Sequence, residues 1–159
     1  MSKEKKIETA ASSVSFKVKK FMVKTVAGNL SDINGTIRFD PNDASNGSFD
    51  ISIPAASINT NDKKRDEHLR NQDFFSVEQY PEITFRSTAV QQENGGFSTS
   101  GDLRLLGVTK TIKIPFSFKD GIFEGNFSLN RLDYTLGKKF PSFIVGKNID
   151  ISIRCKTTL

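Results

Sequence analysis

The sequence predicts an all-β fold: a closed up-and-down barrel or a sandwich of about eight antiparallel strands, with one short helix. Three observations carry that prediction. Apolar residues recur at every second position through most of the chain. Each run is apolar on one face only, as in antiparallel sheets with one buried and one wet side. Turn-forming dipeptides separate the runs.

The runs follow in order. Val14, Phe16 and Val18 alternate with Ser and Lys. Ile33, Gly35, Ile37 and Phe39 come next and end in turn residues. Phe49, Ile51 and Ile53 follow Asn46-Gly47. Ile83 and Phe85 alternate with Thr84 and Arg86. Phe97 leads through Gly101 to Leu103 and Leu105 after Asn94-Gly95-Gly96. Ile112, Ile114, Phe116 and Phe118 are joined through Asp120-Gly121 to Phe123, Gly125, Phe127 and Leu129, a strong hairpin signal. Ile149, Ile151 and Ile153 close the series, with Cys155 as a small residue on the same face.

Two stretches break the alternation. Between Val18 and Phe21 the apolar phase slips by one, as a β-bulge would make it do. Residues 61–80 are polar and charged. There Asn61 or Asp62 is expected to cap a short helix carrying Arg65, Glu67, His68 and Leu69, and Pro81 stops it before the next strand. Residues 1–11 are expected to be a mobile tail and 12–159 one barrel domain.

Composition narrows the function classes. The 159 residues suit one domain that buries its core without disulfides. The lone Cys155 excludes an internal disulfide or a CxxC site. The net charge of +5 comes without a basic run or nucleic-acid-binding motif, so no nucleic-acid partner is expected. No stretch approaches the ~18–20 apolar residues of a membrane span. The N-terminus lacks the apolar segment of a signal peptide, which suits the cytoplasm; a chain trimmed of its signal would be periplasmic. The outstanding feature is 14 Phe with no Trp and 2 Tyr. On the strand alternation, Phe16, Phe39, Phe85, Phe116, Phe118 and Phe127 fall on the inward face. Phe74, Phe75 and Tyr80 are expected to seal the barrel end beside the helix. Eight strands enclose an interior just wide enough to be filled or to hold one slender ligand. Alternation alone does not choose between the two.

Among polar residues, Arg65, His68, Arg131 and Lys110 are the candidates for holding a ligand head-group at a cavity mouth. Each has a structural reading as well: Arg65-Asp66-Glu67-His68-Leu69-Arg70 sets opposite charges at helical spacing. Gly107-Val108-Thr109-Lys110 lacks the second glycine of a phosphate loop and reads as a tight turn. His68 has no Cys or second His to complete a metal site, and no G-x-S-x-G accompanies it.

The stretch Arg65 to Thr88, RDEHLRNQDFFSVEQYPEITFRST, resembles the signature of the YceI-like family: RDxHL, then D-F-F, then Tyr-Pro, then a strand ending F-x-S. Gly101-Asp102-Leu103 with Leu106-Gly107-Val108-Thr109 is similar to that family's G-x-L-x-x-x-G-V-T segment. Arg131, Asp133, Tyr134 and Gly137 are similar to its late strand and turn, and Ser13 to Phe39 to its opening strands. The family's frequent histidines near the opening strand are replaced here by Ala, Ser and Lys20. The resemblance implies an eight-stranded antiparallel, lipocalin-like barrel with a helix near one end. It also implies non-catalytic binding or transport of a long amphiphilic lipid, a polyisoprenoid such as a prenyl phosphate or quinone, with no cofactor or metal. Two rival readings follow from the residues: a lipid-processing enzyme using His68 with Asp66 or Glu67, or a filled barrel serving as a protein-interaction module. A homodimer is compatible with either.

Overall fold

The computed structural model describes residues 3–158. Ten strands form one antiparallel sheet: β1 (Lys3–Ile7), β2 (Ser13–Lys20), β3 (Lys24–Leu30), β4 (Asn34–Phe39), β5 (Ser48–Pro54), β6 (Glu82–Glu93), β7 (Gly96–Leu105), β8 (Val108–Lys119), β9 (Ile122–Asn130) and β10 (Val145–Thr158). The helix α1 spans Lys63–Arg70 between β5 and β6. From β4 to β10 each strand pairs with its sequence neighbour, as an up-and-down order requires. Strand β1 pairs with β4 on one edge and with β10 on the other. The ring β1-β4-β5-β6-β7-β8-β9-β10 is therefore closed with eight strands. The hairpin β2–β3 continues it, since β2 pairs along the other half of β10.

The two-residue turns have the chemistry that the twist of a hairpin demands. Asn94-Gly95 and Asp120-Gly121 both adopt positive φ, and an Asn-Gly or Asp-Gly pair tolerates this best. Asp62 caps α1: its carboxylate accepts from the Arg65 N–H at 3.1 Å, satisfying one of the free donors of the first turn.

The structure departs from the sequence reading in three places. The expected mobile tail is instead strand β1 from Lys3 onward, where Lys5 lies opposite Ile37 and Lys6 opposite Thr158; residues 1 and 2 lie outside the described part. The phase slip at Val18–Phe21 is no bulge but the turn of the β2–β3 hairpin, with Phe21 and Met22 both at positive φ. The register shifts fall in β10, between Val145 and Ile149, and in the β6–β7 pair. Strand β3 was hidden because Gly28 takes one of its inward positions. It sits directly across from Phe16, and a Cβ there would come within 2.6 Å of that ring.

Candidate functional site: an apolar cavity plugged at one end

The strands run between two distinct ends. The turns β4–β5, β6–β7 and β8–β9 form one end, where the rings converge. Phe39 is 1% exposed and meets five other rings: Phe97 at 5.0 Å, Phe118 at 5.1 Å, Phe123 at 5.3 Å, Phe116 at 5.6 Å and Phe49 at 6.5 Å between centroids. The first four are edge-to-face contacts, the arrangement that the ring quadrupoles favour. This cluster plugs the barrel.

The other end carries the β2–β3 and β7–β8 turns, the helical segment between β5 and β6, and the long connection from β9 to β10. Between the ends lies a cavity of about 230 Å³. Its wall alternates around the ring: Val14, Phe16 and Val18 from β2, Ile51 and Ile53 from β5, Leu103 and Leu105 from β7, and Ile149, Ile151 and Ile153 from β10. Phe49, Phe116 and Phe123 form its floor. Leu69, Phe74 and Phe75 cover the far end. The wall offers almost no polar atoms. Such a cavity gives a water molecule no partners, so its natural filling is apolar. The volume is below the ~300–1,000 Å³ of drug-sized pockets, which restricts the occupant to a slender chain.

The predicted rings therefore divide. Phe16, Phe85, Phe116 and Phe127 border the cavity, as do Phe74 and Phe75 at its end. Phe39 and Phe118 belong to the plug and do not reach the cavity. Tyr80 packs against the turn at Gly107, whose Cβ position lies 2.9 Å from its ring. Sequence reasoning missed Phe49 and Phe123, both on recognised inward faces, and the aliphatic majority of the wall. The interior contains both a plug and a tube, so a wholly filled barrel is not what the chain forms.

The head-group candidates are employed in holding the structure. Arg131 is 1% exposed and borders the cavity. Its guanidinium donates to five main-chain carbonyls: Nε to Gly146, Nη1 to Leu136 and Gly137, and Nη2 to Phe140 and Val145. All five N–H groups are used. Burial draws its pKa down from the ordinary guanidinium range, and the guanidinium stays charged. Gly137, at positive φ, lets this loop close: a Cβ there would lie 2.7 Å from Phe74 and 3.2 Å from Arg131.

The helix motif does a similar job. Asp66 is buried and accepts from the Thr60 N–H at 2.9 Å and the Thr60 hydroxyl at 2.6 Å. Arg65 donates to the Thr60 hydroxyl and carbonyl, and Arg70 to the carbonyls of Ala56 and Ile58. The acid and two arginines thus staple α1 to residues 56–60. Asp66→Ala is expected to destabilise the fold by at least one charged hydrogen bond, about 1.5–3 kcal/mol. Chemical denaturation measures that, and amide exchange in α1 should accelerate more than in β8.

His68 donates from Nε2 to the Asp73 carboxylate at 2.9 Å and lies edge-on to Phe74 and Phe140. It does not border the cavity. Its hydrogen bond to Asp73, aided by Lys139, holds that carboxyl below the ordinary carboxylate range. The partnership of His68 with Asp66 or Glu67 imagined for an enzyme is not formed, since Asp66 is turned into Thr60. Lys110 is exposed and lies across from Leu103, outside the cavity lining. Cys155 is buried and borders the cavity, and burial pushes its thiol pKa up, away from reactivity.

Fold and cavity together define a class: a closed antiparallel β-barrel built around an apolar internal tube, plugged at one end. The YceI-like domain model matches residues 6–157. The chain belongs to the YceI-like family. Among curated relatives it is 35% identical over 99 residues to a UPF0312 protein of Photorhabdus laumondii, covering 62% of this chain and 52% of that protein. It is 34% identical over 101 residues to Protein YceI of Escherichia coli O157:H7, covering 64% and 53%. The matched segment spans about half the length of these relatives. Among solved structures, BcnA of Burkholderia cenocepacia superposes with a TM-score of 0.89 at 25% identity, covering 96% of this chain and 99% of that one. A polyisoprenoid-binding domain from Saccharophagus degradans superposes with a TM-score of 0.72 at 13% identity, covering 97% of each chain. At that identity the likeness concerns the fold.

Proposed function

We propose that this barrel binds or carries a long-chain amphiphilic lipid, a polyisoprenoid of the prenyl-phosphate or quinone type, without transforming it. The observation that carries the reading is the cavity itself: about 230 Å³, set between plug and helix, and walled by Ile, Leu, Val and Phe. A prenyl chain has no hydrogen-bonding group along its length. Its affinity comes from buried apolar area, about 25 cal/mol per Å² before the cost of association. A wall of Phe in place of Trp or Tyr leaves no donor to satisfy. Family membership and the shared fold of the Saccharophagus domain support the same ligand class.

The test is native mass spectrometry of protein purified from its own host, followed by organic extraction. The expected result is a bound species of prenyl-lipid mass. No co-purifying lipid, together with no uptake of added prenyl phosphates or quinones, refutes the reading.

A further inference from the structure

The exposed large apolar side chains among the described residues are Phe21, Met22, Val23, Leu132 and Phe143, at 56%, 73%, 79%, 40% and 62% exposure. All five lie at the unplugged end of the barrel. Phe21, Met22 and Val23 form the β2–β3 turn. Phe143 precedes β10 on the neighbouring connection, and the two segments are joined by the Phe21 N–H donating to the Ile144 carbonyl at 2.9 Å. Val18 and Val145, just below, border the cavity.

No packing among the described residues covers these side chains. Phe21 and Met22 hold φ of 53° and 64°, where a hairpin turn favours Asn-Gly and bulky side chains are rare. Their side chains gain no burial in return. The charge on the segments carrying Phe21, Met22, Val23 and Phe143 is one-sided: residues 19–27 and 134–149 contain Lys19, Lys20, Lys24, Lys138, Lys139 and Lys147, with no Asp or Glu, while Asp133 adjoins Leu132 at the border. Lys20 lies over the Phe21 ring, and Lys139 reaches Asp73 at 3.7 Å; Lys24, Lys138 and Lys147 are exposed.

We propose that this end of the barrel docks onto an anionic lipid bilayer. Phe21, Met22, Val23 and Phe143 insert at the level of the head-groups, and the surrounding lysines pair with lipid phosphates. Apolar tips ringed by lysines match the two components of an anionic interface, an apolar layer beneath fixed negative charge. The docked end is the one bordered by the cavity-lining Val18 and Val145, so the tube faces the membrane. The proposal stands independently of what the cavity holds.

The chain contains no Trp, so Phe143→Trp introduces a single fluorescent reporter at an exposed position. It is titrated with vesicles of phosphatidylcholine alone and of phosphatidylcholine with phosphatidylglycerol, and binding is checked by co-sedimentation. The expected result is a blue shift and sedimentation with the anionic vesicles, reversed by high salt. On that background, Lys20→Gln with Lys24→Gln should weaken binding roughly 25-fold, about fivefold per lysine. Phe21→Ser with Met22→Ser should weaken it at least as much, with circular dichroism unchanged. No shift with anionic vesicles, equal binding to the neutral ones, or a concentration-dependent shift without vesicles, the mark of self-association, would overturn the proposal. These readouts do not use lipid uptake, so failure here leaves the cargo reading untouched.

Discussion

Replacing Arg131 with Met is expected to lower the free energy of unfolding by roughly 3–6 kcal/mol. That is a large share of the ~5–15 kcal/mol that holds a domain together. The loss comes from acceptors left without donors. The guanidinium collects the carbonyls of Leu136, Gly137, Phe140, Val145 and Gly146, which belong to one long connection and the first residues of β10. Met supplies the stem but no donor. The two bonds from Nη1 are the fully buried ones, and at about 1.5–3 kcal/mol each they alone set the estimate. Arg131→Lys is expected to recover little, because three donors on one ammonium cannot reach five carbonyls arranged around a planar fork. Urea denaturation of both variants measures the effect. A loss below about 1 kcal/mol in Arg131→Met would mean that the connection is held by other contacts.

The second large effect is Phe39→Ala, at about 3–5 kcal/mol. Its ring is nearly inaccessible and touches five others, so truncation leaves a void that the rigid strands around it cannot close. Phe118→Ala is expected to cost less, because Phe118 is only partly buried and contacts fewer rings. The ordering is the informative part. If the plug were a loose end of the tube, the two substitutions would cost the same. Thermal unfolding monitored by circular dichroism decides this.

How much of this was legible in the sequence follows from the kind of signal each feature leaves. Strand β2 and strands β4 to β10 announced themselves because their alternation is written in large apolar residues. Strand β1, Lys-Glu-Lys-Lys-Ile, is not, because it is charged along most of its length and is held by main-chain pairing on both edges. Strand β3 was silenced by one glycine that exists to admit Phe16. The helix cap at Asp62 was legible because capping is local. The role of Arg131 was not, because its partners are main-chain carbonyls, which every residue carries and which leave no side-chain signature. The same holds for Arg65, whose charge suggested a head-group site but whose acceptors lie at Thr60; Asp66 and Arg70 likewise bond within residues 56–60. Phe21 and Phe143 are exposed at the unplugged end, whereas the Phe residues on the alternating strands fall in the interior. Their split into plug and wall depends on which strand ends meet, and alternation does not record that.

The central claim is that the tube between plug and helix is the binding site for an extended apolar chain. Isoleucine methyl NMR during titration with farnesyl phosphate tests it most directly. Ile51, Ile53, Ile151 and Ile153 border the cavity, whereas Ile7 and Ile122 do not. Saturable shifts at the first four, with Ile7 and Ile122 unchanged, are the predicted result. Shifts confined to residues outside the cavity, or none at saturating lipid, would contradict it.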